Sequence, residues 1–205
     1  MVHTIRKLSL YGQFRRCRGD HSAAERGRFR VEGRARQGGA KVKLLLERVC
    51  RELEGEPDSE AKALADARLE LGNVLPFDGQ QDRAEGRYLE ALAAYRQIGD
   101  RLGEANVLQA RGDVARMQAR YDAAEGLYQQ ALPYRQIGDR LGEAGCLSGM
   151  GQLARARNAN PELAIPLFIE AARAFTAAGN LEWARRASRA AADATSSSPA
   201  QRAEG

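Results

Sequence analysis

The sequence predicts an all-α fold, a solenoid of antiparallel helix hairpins, and three observations lead there. Eleven residues, Tyr95 to Ala105 (YRQIGDRLGEA), recur unchanged as Tyr134 to Ala144, and duplication at a period of about 40 residues marks a stacked-repeat architecture rather than a single enzyme core. Apolar residues recur at three- and four-residue steps within each copy, as in Leu102, Ala105, Leu108 and Val114 and then Tyr121, Ala124, Tyr128 and Ala131, the spacing of one apolar stripe per helix. Between copies stand Gly99-Asp100, Gly138-Asp139 and Gly179-Asn180, each a helix-ending glycine followed by a residue able to cap the next helix.

Ten helices are expected, at about 4–18, 22–36, 40–54, 60–75, 81–98, 101–118, 121–137, 140–157, 161–178 and 181–194. In the first sixty residues, Gly12–Glu25 (GQFRRCRGDHSAAE) aligns with Gly112–Glu125, sharing Gly12, Arg16, Ala23, Ala24 and Glu25, which suggests a diverged repeat. Val42–Leu53 (VKLLLERVCREL) instead reads as the second helix of a hairpin whose first helix is 22–37, with Gly38-Gly39 as the turn. The two registers leave the pairing of the first three helices open. Residues 60–181 hold three tandem units, since Ala65 with Gly72-Asn73 matches Ala105 with Gly112-Asp113 and Ala144 with Gly151-Gln152. The third unit is worn, traceable through Ala164, Leu167, Phe168, Ala171 and Phe175. A helix cannot bury its stripe alone, so each pair folds back and packs on its neighbour. Pro76 should close a helix into the turn Phe77-Asp78-Gly79, and Pro133 and Pro166 should end or bend theirs, because proline lacks the N–H a helix needs. Residues 182–195, with Trp183, Ala184, Ala187 and Ala191 on one face, read as a capping helix, and 196–205 as a disordered polar tail.

Gly112, the small residue Ala124, the aromatic Tyr128 and Ala131 occupy positions that resemble the signature sites of the tetratricopeptide repeat, and the linker GDRLGEA resembles the longer, roughly 40-residue form of that repeat. The resemblance covers residues 60–181. It implies a right-handed superhelical solenoid of the kind found in helical scaffolds and in sensor arms of bacterial regulators, with a concave groove lined by the first helix of each pair. The groove positions so implied are Asp66, Leu69, Asn73 and Phe77 in the first unit, Asn106, Gln109, Asp113, Arg116 and Met117 in the second, and Ser148, Gln152 and Arg155 in the third. There Asn73, Asp113 and Gln152 form a polar row able to meet peptide N–H groups, with Leu69, Phe77 and Met117 as apolar anchors.

Composition bounds the remainder. Leu, Ile, Val and Phe make up about a fifth of the chain, near the lower edge for a folded protein, but the periodicity argues for order. No apolar run approaches the roughly 20 residues needed to span a bilayer, and the start has too short an apolar stretch for a secretory signal, so neither a membrane nor a secretory location is expected. Cys17, Cys50 and Cys146 are odd in number and far apart, as suits reduced cysteines of a cytoplasmic protein. Residues 1–43 hold twelve Lys or Arg against three acids, whereas 44–205 hold twenty against twenty-four. Arg15, Arg16, Arg18, Arg26, Arg28, Arg30, Arg34 and Arg36, with Tyr11, Phe14 and Phe29 between them, could neutralise phosphates and stack bases. A solvated helix face accounts for them more economically, because no base-reading module accompanies them.

Catalysis finds little support. His3 and His21 are the two imidazoles, and Cys17, four residues before His21, has no second Cys or His nearby to complete a metal-ligand set; neither a phosphate-cradling GxxxxGK[ST] nor a GxSxG elbow occurs. Glu85 with Glu125, and Glu104 with Glu143, recur with the repeat and read as surface or inter-helix contacts. The expectation is a non-enzymatic scaffold or sensor module without cofactor or metal, binding a protein or peptide segment in its groove. A nucleic-acid-associated regulator using the basic first forty residues is the alternative.

Overall fold

The computed structural model describes residues 33–54, 60–135, 138–158 and 161–196. Among them are eight α-helices and no strand: α1 (Gly33–Leu53), α2 (Ala61–Val74), α3 (Gln81–Gln97), α4 (Arg101–Met117), α5 (Tyr121–Arg135), α6 (Arg140–Asn158), α7 (Pro161–Ala177) and α8 (Leu181–Ser196), with a 3₁₀ turn at Leu75–Asp78 between α2 and α3. The expected helix at 4–18 and most of that at 22–36 lie outside the described residues. No described helix is long and apolar enough to cross a membrane.

The break expected at Gly38-Gly39 is absent: α1 runs unbroken from Gly33 to Leu53. A glycine inside a helix costs about 1 kcal/mol relative to alanine but keeps its N–H and needs no special dihedral. Ending a helix there also requires the next residue to cap, and Ala40 has no side-chain acceptor. The prolines of α5 and α7 likewise sit inside helices. Pro166 forfeits the hydrogen bond an N–H would make, but α7 is carried by Ala164, Phe168, Ala171 and Phe175, all buried. Pro133 lies in the last turn of α5, which stops at Arg135.

The chain divides into two compact units, Met1–Gly103 and Glu104–Gly205. In the first, α1 packs on α2 and α2 on α3. Leu46, Val49, Cys50 and Leu53 form the buried stripe of α1, and they join Ala65, Ala67, Leu69 and Leu71 of α2 and Ala84, Tyr88, Ala91, Leu92 and Tyr95 of α3 in the unit's core. Burial pushes the Cys50 thiol up to about 11, against the lowering influence of Arg87 and Arg68. In the second unit α5 packs on α6, α6 on α7 and α7 on α8. Ala144 and Leu147 of α6, Ala171 and Phe175 of α7, and Ala184 and Ala187 of α8 form one continuous cluster there, and the Phe175 and Trp183 rings stack with centroids 5.9 Å apart. Many of these contacts are alanines, which let helix axes approach closely.

Each joint is built as its sequence implies. Gly99 and Gly179 take φ of 72° and 75° and Gly138 takes 150°, a region open to glycine at little cost. The N–H groups of Asp100 and Asn180 reach back to the carbonyls of Tyr95 (2.9 Å) and Phe175 (2.8 Å), closing the preceding helix. Their side chains then cap the next one: Asp100 accepts from the Gly103 N–H at 2.9 Å, Asp139 from Leu141 and Gly142 at 3.1 Å each, and Asn180 from Trp183 at 3.3 Å. Between α4 and α5 the same turn is made without glycine, and Ala119 holds φ of 57°.

Candidate binding surface

The second unit holds two of the rows expected to line a groove. On α4 stand Asn106, Gln109, Asp113 and Arg116, all half-buried, followed by Met117, which is 60% exposed. On α6 stand Ser148 and Gln152, half-buried, and Arg155, exposed. The rows meet at Gly145, where the Gln109 amide occupies the space a Cβ would take. In the first unit the corresponding positions differ in depth. Asp66 and Leu69 are buried, Asn73 is half-buried, and Phe77 lies in the 3₁₀ turn with its side chain outside the description. Of the basic series, Arg34 and Arg36 fall in the first turn of α1, and Arg15, Arg16, Arg18, Arg26, Arg28 and Arg30 fall outside the described residues.

Several polar groups of these rows are engaged from behind by tyrosines. Tyr88 Oη donates to Asn73 Oδ1 at 3.1 Å, Tyr128 Oη to Asp113 Oδ1 at 2.7 Å, and Tyr95 Oη to Asp66 Oδ1 at 2.6 Å. The rings behind these hydroxyls are fully buried, and a buried hydroxyl needs a partner. Burial, reinforced by the Asp113 charge and hydrogen bond, raises the Tyr128 pKa well above its ordinary 10; the hydroxyl therefore stays a donor. In the third repeat both rings are phenylalanines, Phe168 and Phe175, and the position equivalent to Asp66 is Gly145. At the second ring position the hydroxyl and its acceptor are lost together, whereas at the first Gln152 keeps an amide opposite Phe168.

Glycine makes the ring seats possible. A Cβ at Gly72 would lie 2.5 Å from Tyr88 Cε1, at Gly112 2.8 Å from Tyr128 Cε1, and at Gly151 2.9 Å from Phe168 Cε1. Tyr128 is confined from a second side as well, since a Cβ at Gly149 would lie 2.6 Å from its Cζ. The rows are consequently fixed to the core: Asp113 is held by a ring that two helices clasp, and Arg116 Nη2 stands 4.0 Å from the same carboxylate oxygen. Such pre-ordering lowers the entropy lost when a surface binds.

The pairing of each tyrosine with its acceptor was not part of the sequence reading, although the recurrent fifteen-residue separation of Asn73 from Tyr88 and Asp113 from Tyr128 carries it. Of the repeated acids, Glu125 joins Asp122 in holding Arg157 of α6, at 3.0 and 2.6 Å, an inter-helix contact. Glu104 is 4% exposed and belongs to the interior. Among the described residues no three His, Cys, Asp or Glu side chains are grouped to hold a metal ion.

A family model described as tetratricopeptide repeat matches residues 63–137, from α2 to just beyond α5. The crystal structure of BtubC (BKLC) from P. vanneervenii is similar in fold, with a TM-score of 0.52 and 19% identity over 79% of this chain and 76% of that one. No curated protein matches the chain. Gly112, Ala124, Tyr128 and Ala131 lie within the matched stretch and are buried as ring seat, ring and small-residue contacts; residues 63–137 are tetratricopeptide repeats by this match.

Proposed function

We propose that the protein is a non-enzymatic interaction scaffold, or the sensor arm of a regulator, acting in the cytoplasm and binding a protein segment across the first helices of its repeats. The observation that carries this reading is the convergence of α4 and α6 at Gln109 and Gly145. Asn106, Gln109 and Arg116 of α4 and Ser148, Gln152 and Arg155 of α6 are the polar side chains we assign to this surface, with Met117 as an exposed apolar contact. Amide groups of this kind both donate to and accept from a peptide backbone. Asp113 takes part although Tyr128 occupies one of its oxygens, because a carboxylate has about four acceptor sites. Asn73 supplies the equivalent position of the first unit. The proposal takes the hairpins to stack in the right-handed superhelical manner of the tetratricopeptide repeat.

The test is site-specific crosslinking. A photoreactive residue in place of Met117 should trap a protein partner, and Asn106→Ala with Arg116→Ala should abolish that adduct while the far-ultraviolet circular dichroism stays unchanged. Equal trapping by the double variant would move the binding surface elsewhere.

A further inference from the structure

The outward face of α8 differs in kind from the faces of the helices before it. Counting from the capping residues Asp100, Asp139 and Asn180, the buried Ala105 and Ala144 correspond to Arg185, the buried Leu108 and Leu147 to Ser188, and the ring-seating Gly112 and Gly151 to Ala192. Ala184, Ala187, Ala191 and Ala194 remain buried, so α8 keeps one apolar face and has lost the other. In α4 and α6 the lost face is where a ring of the following helix is seated.

In its place is an open depression of about 390 Å³ lined by Thr176 of α7 and Leu181, Ala184, Arg185, Ser188 and Arg189 of α8. Leu181 is 57% exposed. The hydroxyl protons of Thr176 and Ser188 are spent inward, on the carbonyls of Ala172 (2.8 Å) and Ala184 (2.9 Å). The donors facing outward are therefore the two guanidinium groups, both exposed and neither in an ion pair among the described residues. Arg186 is not available in the same way, since it pairs with Glu182 at 3.0 Å and lies 4.7 Å over the Trp183 ring.

We propose that this face of α8 docks a short acidic polypeptide segment, with Arg185 and Arg189 binding its carboxylates and Leu181 receiving an apolar side chain. Guanidinium groups favour carboxylates through paired, charge-assisted hydrogen bonds. Another repeat hairpin does not fit, because Ala192 stands where a ring would need glycine and Arg185 where it would need alanine. A nucleic-acid backbone fits poorly too, because a polyanion gains affinity from a run of cations along its length and this face supplies two, with Arg186 already paired to Glu182 and Asp193 one turn beyond Arg189.

The proposal is tested by fluorescence anisotropy on the full chain with a labelled peptide of alternating Glu and Leu, at low and high salt. Binding should weaken with salt and fall by about tenfold in Arg185→Ala with Arg189→Ala, the size expected for two exposed charge pairs. Charge reversal, Arg185→Glu with Arg189→Glu, should transfer the preference to a Lys/Leu peptide, a gain that a misfolded chain would not produce. Absence of binding at low salt overturns the proposal. So does an equal loss in Arg116→Ala with Arg155→Ala, which would place the peptide on the α4–α6 surface, or tighter binding of a single-stranded oligonucleotide that depends on Arg185 and Arg189.

Discussion

Replacing Gly112 with alanine and replacing Gly126 with alanine are the same chemical change in adjacent helices of one unit, and the structure assigns them opposite signs. Both glycines are inside helices, so each substitution gains about 1 kcal/mol from helix propensity. At Gly126 nothing lies within 4 Å of the new methyl group, and the gain stands alone. At Gly112 the methyl carbon would come to 2.8 and 2.9 Å from two carbons of the Tyr128 ring. The ring cannot retreat, because Gly149 of α6 bounds it on another side, and its hydroxyl is tied to Asp113 at 2.7 Å. Overpacking of a confined core ring costs about 1–3 kcal/mol; taking the upper part of that range and subtracting the propensity gain leaves Gly112→Ala destabilised by about 1–2 kcal/mol. For a chain of this size each kcal/mol moves the melting temperature by about 2–4 °C, so the two variants should melt about 4–12 °C apart on either side of the parent. Thermal unfolding followed by circular dichroism measures this directly. In a Tyr128→Leu background the Gly112→Ala cost should disappear. If Gly112→Ala stabilises the parent as much as Gly126→Ala does, the ring seat is not the constraint described above.

Ala119→Gly should raise stability by up to about 1 kcal/mol, because it relieves a left-handed alanine at φ of 57°; urea unfolding that shows a loss would mean the turn is not strained. Burial alone would raise the Asp100 pKa, but the hydrogen bond from Lys62 and the N–H groups of Gly103 and Leu102 bring it below its ordinary 3.8. Its folded-state pKa is therefore depressed, its contribution is present above the ordinary value, and it is lost as pH falls through the folded value. Melting temperatures measured from about pH 5 down to pH 2 should accordingly decline less steeply in Asp100→Asn than in the parent, and parallel declines would remove Asp100 from the acid response. Short RNA and DNA should show no affinity at low salt that deletion of residues 1–32 removes. Binding lost with that deletion, and weakening steeply with added salt, would instead give the basic segment a nucleic-acid role.

From residue 60 to residue 196 the helices were legible in the sequence, each boundary falling within two residues of the expected one, because the repeated joint fixes the register. The physical signal was the pair rather than the glycine: Gly99, Gly138 and Gly179 are each followed by Asp or Asn, which caps the next helix. At Gly38-Gly39 the following residue is Ala40, and α1 continues through. The environments of the rows proposed to bind were not legible in the sequence. The fifteen-residue separation that recurs at Asn73 and Asp113 marks their tyrosines, but no such recurrence marks Asp66, whose donor Tyr95 lies 29 residues on in another helix. The same holds for α8, whose polar face reads as ordinary surface until its register is counted from Asn180.

The tyrosine struts bear on how such a chain grows. Tyr88 with Asn73 and Tyr95 with Asp66 each join α2 to α3, so donor and acceptor are inherited together when a whole hairpin is copied. A crossover inside a hairpin between these copies and the third repeat would separate them, setting Asp66 against Phe175 in one product and Tyr95 against Gly145 in the other. A crossover within YRQIGDRLGEA leaves every such pair intact. The longest stretch identical in both copies is one at which genetic exchange is structurally silent.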